Sequence, residues 1–267
     1  MRVSVVQVDA SLAGSENRFS WLETRVRQAA KESVDLVVFP ELYLTGYNVA
    51  EALHRHAEPQ DGPFAKRIQT LAKELGVAIA YGYPEREGEQ VYNALILIDE
   101  QGRTLANHRK TVLPLGHEHD WFATGSGFSL FRFGGATVAM VICYECEFPE
   151  IVRNVALGGA DVVVVATAGG KDWEQVPKFV IPSRAYENGV FMVYANYCGT
   201  ENGHRFSGLS CIVDPYGADL ARAGKAEAMI SADLNLGLIA EARSQVPFLS
   251  DHKEVLSKLN LSKGNFT

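Results

Sequence analysis

The sequence has no apolar run long enough to span a membrane; its longest apolar stretches, such as DVVVVATAGG at 161–170, are strand-sized. It has no run of lysine and arginine, and 25 basic against 32 acidic residues leave a formal net charge of −7. An acidic chain without a basic stripe is ill suited to sequence-independent binding of nucleic acid. Cysteine is scarce: four residues, at 143, 146, 198 and 211, are too few and too scattered for a disulfide framework in 267 residues. The N-terminus, MRVSVVQVDA, reads as a strand and lacks the charged start, apolar helix and small-residue cleavage site of a secretory signal. Together these absences predict a cytoplasmic protein with no membrane and no nucleic-acid partner. No repeat, low-complexity stretch or Pro/Gly/Ser linker divides the chain, so residues 1–267 are expected to form one domain. The last twenty or so residues, which are more polar, read as a tail or an oligomer contact.

What is present is the composition of a globular protein, 47% hydrophobic and 21% charged, enough for a sizeable core at this length. VSVVQV (3–8) reads as a strand, ENRFSWLETRVRQAAKES (16–33) as a helix with Ser15 as its N-cap, and DLVVFP (35–40) as a buried strand. GPFAKRIQTLAKELG (62–76) predicts a helix with Pro63 in its first turn and Gly76 at its end, followed by the strand VAIAYGYPE (77–85). VYNALILID and TLANHRK flank EQG (100–102) as a hairpin, and FSLFRFGG and ATVAMVIC (136–143) look like a second pair. Pro149 to Leu157 reads as a helix, DVVVVAT as a strand, DWEQVPKFVIPSRAYENG as helical after Pro177, and VFMVYAN as a strand. LSCIVDPYG enters a turn and AMISADL follows it. This is a mixed α/β pattern whose near-continuous apolar strands need cover on both faces.

Three buried strands each end in a reactive side chain: DLVVFP in Glu41, TLANHRK in Lys110 and ATVAMVIC in Cys143. Sites in α/β folds assemble at such strand ends. A cysteine whose proton is taken by a base is a strong nucleophile at neutral pH, Glu41 could be that base, and a lysine can hold the oxygen of a tetrahedral intermediate. The competing view of Glu41 and Lys110 is the ordinary one, a charged residue where a buried strand reaches the surface.

The local sequences decide between these. FPELYLTGY, HRKTVLPLGHEHDWFATG, VICYECEFPE and SRAYENGVFMVYAN occur in this order and closely resemble the four signature regions of the nitrilase superfamily, the carbon–nitrogen hydrolases. The resemblance runs from VSVVQVDA to MISADL. It implies a four-layer αββα sandwich whose subunits pair as a homodimer or higher homo-oligomer. It implies Glu41 as general base, Lys110 as the oxyanion-side lysine, Cys143 as nucleophile, and Glu118 as the second glutamate that supports the lysine and positions substrate. Cys143 would then sit on a sharp strand-to-helix turn, with the backbone N–H of Tyr144 facing the oxyanion beside Lys110. No cofactor is implied, because nucleophile, base and oxyanion donors all come from the chain.

CYECEFPE resembles the amidase pattern C-Y-D-x-x-F-P-E, with Glu145 in place of the usual Asp. Enzymes for N-carbamoyl-D-amino acids carry arginines where this chain has Cys146 and Glu147, so a substrate carboxylate would meet a negative charge here. The expected activity is hydrolysis of a small carboxamide, amino-acid amides among them, to acid and ammonia through a cysteine thioester. Glu147 either pairs with a substrate amine or faces solvent. The alternatives are a nitrilase, an N-carbamoyl amidase or an ω-amidase of the same superfamily, and a catalytically silent scaffold that kept the fold. Simpler readings stand beside several residues. Cys143 and Cys146 form a C-x-x-C, but a structural zinc needs about four ligands and no second pair exists. Cys146 reads as pocket lining or a quiet structural thiol. Tyr47 and Trp121 line the pocket or fill core, Arg184, Glu187 and Asn188 brace a helix and the strand after it, and His54 and His56 are exposed.

Overall fold

The computed structural model describes residues 1–49 and 52–259. In chain order it runs β1 (Arg2–Asp9), α1 (Ser15–Lys31), β2 (Leu36–Val38), α2 (Ala52–His56), α3 (Pro63–Leu75), β3 (Ala78–Glu87), β4 (Gln90–Ile98), β5 (Thr104–Arg109) and α4 (His117–Trp121). It continues with β6 (Leu130–Phe133), β7 (Ala136–Ile142), α5 (Pro149–Leu157), β8 (Val162–Ala166), α6 (Ile181–Asn188) and β9 (Phe191–Ala195). The short strands β10 (Tyr197–Cys198), β11 (Thr200–Glu201) and β12 (His204–Arg205) precede β13 (Cys211–Val213), β14 (Asp219–Arg222), β15 (Ala228–Asp233), α7 (Gly237–Gln245) and α8 (Phe248–Lys258).

Two sheets result. The first has the order β10-β1-β2-β3-β4-β5, with β15 also paired to β1; the second has the order β14-β13-β9-β8-β7-β6. Each is built on three parallel strands, β1-β2-β3 in one and β7-β8-β9 in the other. Antiparallel strands extend both, as in the β3–β4 hairpin that pairs Ile79 with Ile98 and Glu87 with Gln90.

The layer order follows from period-two alternation in strands that are apolar on both faces. In β3, Ala78 and Ala80 point into one cluster with Val138, Met140, Val162 and Val164 of the second sheet. Their neighbours Ile79, Tyr81 and Tyr83 point the other way, onto Leu22, Val26, Ile68 and Leu71 of α1 and α3. In β7 and β8, Val141, Val163 and Val165 turn away from the first sheet to meet Val152, Val155, Ile181 and Ala185 of α5 and α6. The helices supply matching stripes: α1 buries Phe19, Leu22, Val26 and Ala29, three or four residues apart. The molecule is therefore a four-layer αββα sandwich. Each buried Val or Leu contributes roughly 1.5–3 kcal/mol relative to exposure, and three stacked interfaces hold the strand ends in place.

Several local expectations shift. Ser15 is not the N-cap of α1; Gly14, at φ 82°, turns the chain and Ser15 is already the first helical residue. DLVVFP contracts to Leu36–Val38, because Pro40 has no N–H to continue the ladder. The helix expected after Pro177 begins with a wide turn at Val176–Val180 before α6 starts at Ile181. The polar C-terminal stretch is helical as α8 in its described part, and 260–267 lie outside the described residues. Among the described residues, no helix is long and apolar enough to cross a membrane.

Leu36 is fully buried between the sheets. Leu36→Ala should lower the unfolding free energy by about 2–5 kcal/mol, read as a fall in the urea midpoint with unchanged m-value; an unchanged midpoint would contradict a close-packed inter-sheet core.

Candidate active site

Three chain segments converge at one end of the sandwich. Glu41 follows β2 and Pro40, Lys110 follows β5, and Cys143 follows β7. The Lys110 ammonium donates to Glu41 Oε1 at 2.7 Å and to Glu118 Oε1 and Oε2 at 2.9 and 2.8 Å. All three side chains are buried. Asn93, inside β4, donates through Nδ2 to Glu41 Oε1 at 2.7 Å and to Glu118 Oε2 at 3.2 Å. The Tyr47 hydroxyl donates to Glu118 Oε1 at 2.7 Å. Both donors to the Glu41 carboxylate fall on Oε1, and Oε2 is buried with no hydrogen-bond partner among the described residues.

The charges set the resting states. Burial alone would lower the Lys110 pKa, but Glu41 and Glu118 outweigh it and hold the ammonium above its ordinary range. Burial raises the Glu41 pKa and Glu118 adds to the rise, only partly offset by Lys110. The Cys143 thiol is likewise pushed up by burial and then by Glu41, with Lys110 and a hydrogen bond with Thr167 pulling the other way. Two carboxylates against one ammonium thus favour a neutral thiol in the resting enzyme.

The backbone around these groups is strained. Leu42 and Cys143 both sit at φ 48°, in the left-handed region that costs a non-glycine residue of order 1–3 kcal/mol. At Cys143 this bend turns β7 into a tight 3₁₀ turn, Cys143–Glu147, and presents the thiol at the elbow. At Glu41 the neighbouring strand comes so close that a Cβ on Gly82 would lie 2.3 Å from the Leu42 nitrogen; only glycine allows that approach. The Tyr197 hydroxyl donates to the Glu41 carbonyl at 3.0 Å. Tyr47 is held by Glu201, whose carboxylate accepts the backbone N–H groups of Tyr47 (2.9 Å) and Asn48 (2.5 Å) and an N–H of buried Arg18 (3.1 Å).

Cys143 opens onto a cavity of about 380 Å³. Tyr144, Thr167 and Glu147 line it on the Cys143 side, and Tyr47 and His204 belong to the wall made with the β11–β12 hairpin. Leu115 (96% exposed) and Trp173 (54% exposed) are its solvent-facing apolar members. Glu147 is half-buried there, its carboxyl pushed up by burial and drawn back by Lys110 and Arg184.

Of the residues singled out in the sequence, Glu41, Lys110 and Glu118 meet directly, and Cys143, Tyr144, Glu147 and Tyr47 line the cavity. Trp121 is not among the lining residues; it closes the one-turn helix α4 and packs against the helix-covered core of the first sheet. Cys146 does not line the pocket either: it is fully buried on the far side of the second sheet, against α5 and α6. The C-x-x-C thus splits across a sheet, and among the described residues no group of three or more His, Cys, Asp or Glu could hold a metal ion. His54 and His56 are exposed on α2. Arg184 braces more than its own helix, donating to the carbonyls of Cys146 (3.2 Å) and Glu147 (2.6 Å). Sequence reasoning passed over Asn93, Thr167 and Tyr197. Asn93, a lone amide in the apolar strand VYNALILID, carried a legible signal; Tyr197 and Thr167 did not, since only packing brings them to Glu41 and Cys143.

A family model described as Carbon-nitrogen hydrolase matches residues 2–244. The protein "Hydrolase in pqqF 5'region" of Pseudomonas protegens is 44% identical over 237 residues, 87% of this chain and 83% of that one. An (R)-stereoselective amidase of a Pseudomonas species is 32% identical over 261 residues, covering 96% of this chain and 93% of its own. A solved structure of the Nesterenkonia sp. AN1 amidase superposes with a TM-score of 0.87 at 30% identity, covering 98% of this chain and 97% of that one. That structure is of a mutant showing covalent addition of the acetamide moiety of fluoroacetamide at the active-site cysteine.

Since the Cys143 thiol is held above its ordinary range, its alkylation near neutral pH depends on a neighbouring acceptor. In Glu41→Gln that acceptor is lost, and only hydroxide can then form the thiolate. The rate of alkylation by iodoacetamide should fall at neutral pH and rise with pH as the thiol ionises without a neighbouring acceptor. A rate and pH profile unchanged from the parent would remove Glu41 from the role of proton acceptor.

Proposed function

The chain belongs to the carbon–nitrogen hydrolases, and from that premise we propose that it is an amidase, releasing ammonia from small carboxamides through a thioester on Cys143. The observation that carries the reading is the buried cluster in which Glu41 and Glu118 hold the Lys110 ammonium through three hydrogen bonds, beside the cavity that opens at Cys143. Glu41 takes the thiol proton as the sulfur attacks the amide carbon, and the carbonyl electron pair moves onto oxygen. Lys110 and the Tyr144 N–H stabilise that oxyanion. Glu118 keeps Lys110 charged and, with Tyr47, borders the place of the amide. As the intermediate collapses, the C–N bond breaks and Glu41 returns its proton to the leaving nitrogen. Water then gives a proton to Glu41 and its oxygen attacks the thioester. The C–S bond breaks, the acid leaves and the thiolate regains its proton.

The lining supports uncharged and amine-bearing acyl groups. Among the described residues it contains no arginine or lysine, and its carboxylate is Glu147. A substrate carboxylate, as in an ω-amide of a dicarboxylic acid or an N-carbamoyl amino acid, would lack its partner and meet a like charge. An amino-acid amide can place its amine on Glu147 and its side chain against Leu115 and Trp173.

The whole chain, 1–267, is read as one such domain. A free nucleophilic thiol survives in a reducing compartment, which supports the cytoplasm as its location. The two helical faces differ. The α1–α3 face carries Arg27 paired with Glu23 and Glu74, and Arg67 with Glu16. The α5–α6–α8 face exposes Leu157, Tyr186, Phe248 and Leu256. This favours a homodimer formed through the second face.

Ammonia release should be fastest from a short neutral amide or an amino-acid amide, slower from a dicarboxylic ω-amide, an N-carbamoyl amino acid or a nitrile, and absent in Cys143→Ala. Preference for one of the last three compounds would overturn the substrate class. Glu147→Gln should reduce the preference for amino-acid over neutral amides by about tenfold, the loss of roughly 1.4 kcal/mol of pairing; an unmoved ratio would take Glu147 out of substrate recognition. Sedimentation should give twice the 29.2 kDa chain mass and Tyr186→Glu a monomer, whereas a monomeric parent at micromolar concentration would refute the dimer.

A further inference from the structure

Glu145 is buried completely, yet none of the chemistry above uses it. Its carboxylate accepts four hydrogen bonds, two on each oxygen. Oε1 takes the Thr111 backbone N–H and the Thr111 hydroxyl, both at 2.7 Å. Oε2 takes the Ile142 backbone N–H at 2.6 Å and meets His108 Nε2 at 2.8 Å. A carboxylate with both oxygens doubly occupied can only accept, so His108 Nε2 carries its hydrogen toward Glu145. Burial opposes ionisation, but the bonds from His108, Thr111 and Ile142 outweigh it and hold the carboxyl below its ordinary range.

The identities of these donors matter. Thr111 directly follows Lys110, and His108 lies two residues before it on β5. Ile142 directly precedes Cys143. One side chain therefore ties the segment that carries the ammonium, in the first sheet, to the elbow that carries the thiol, in the second. The His108 ring is itself clamped, stacked on Phe128 at 5.2 Å and 26°.

We propose that Glu145 is a positioning residue that sets the place of Lys110 relative to Cys143 and so builds the oxyanion site. The inference deepens the amidase reading but needs only acyl transfer to Cys143. A glutamine at 145 must turn its NH₂ toward one backbone N–H, that of Thr111 or that of Ile142, whichever way the amide flips, so one half of the tie is broken. The Lys110 ammonium then shifts relative to the sulfur, while Glu41, held on its own loop by Asn93 and Tyr197, still takes the thiol proton. Steps that develop an oxyanion should suffer, and steps that need only the thiolate should not.

The test compares two reactions of Cys143 in the parent, Glu145→Gln and Thr111→Val, with Cys143→Ala subtracted as the blank. Acylation by p-nitrophenyl acetate passes through a tetrahedral oxyanion and is read as the nitrophenolate burst. Alkylation by iodoacetamide is a displacement at a CH₂ group and forms none. Acylation should drop by about 100-fold in Glu145→Gln, as when an oxyanion donor is removed, with alkylation within about threefold of the parent. Thr111→Val removes one of the four donors without a new clash of donors, so acylation should fall several-fold and alkylation should hold; this variant decides the matter if Glu145→Gln fails to fold. An equal fall in both reactions would make Glu145 a structural support only. No fall in acylation in either variant, or no Cys143-dependent burst in the parent, would overturn the proposal. A parent that shows the burst but hydrolyses no amide would refute the amidase reading and leave Glu145 in its role.

Discussion

Everything at this site depends on one ammonium group buried between two carboxylates. Taking a charge out of water costs several kcal/mol per ion, and a buried pair offsets that only when its geometry is good and its remaining donors and acceptors are satisfied. Lys110 meets that demand with three short bonds to Glu41 and Glu118, and Asn93 and Tyr47 occupy further acceptor sites on the same carboxylates. The cluster still carries one negative charge more than positive. That excess, added to burial, holds the Cys143 thiol protonated and the Glu41 carboxyl above its ordinary range. The resting site therefore keeps the ammonium charged and the thiol neutral.

Such a cluster has to be held by something stiffer than itself. The stiffness comes from the two parallel cores, β1-β2-β3 and β7-β8-β9, whose inner faces fill the space between the sheets and whose outer faces seat the helices. Strain concentrates where the strands end. Leu42 and Cys143 adopt left-handed backbone conformations, and Gly82 lets β3 pass within contact of the Glu41 backbone. Ordinary strands would have carried their last side chains into solvent; these bends turn them toward a common cavity. The free energy for that strain comes from the packed layers behind it.

Glu147, Leu115 and Trp173 line the cavity, while the side chains of the Lys110 cluster are buried beside it. On the proposed amidase reading, substitutions at Glu147, Leu115 or Trp173 change what enters while leaving the hydrogen bonds of Lys110 in place.

Much of this was written in local sequence. Near-continuous apolar runs bounded by glycine and proline mark the strands, Pro63 and Gly76 mark the ends of α3, and four ordered motifs bring Glu41, Lys110, Glu118 and Cys143 to notice. A charged residue just after a buried strand is visible in one dimension because the strand itself is a local pattern. Other roles were not legible, because they depend on which segments lie side by side. Asn93 becomes a bridge only when β4 crosses between Glu41 and Glu118, and Glu145 changes from a motif variant into a four-bond tie only when β5 and β7 end at the same place. Trp121 and Cys146 went the other way, into core rather than cavity. The sequence by itself determined the strands, the helices and the reactive side chains at their ends, because periodicity and backbone chemistry act over a few residues. The tertiary structure alone decided which partners those side chains meet, because burial and hydrogen bonding across 34 to 156 residues of chain depend on how two sheets stack and not on any single stretch.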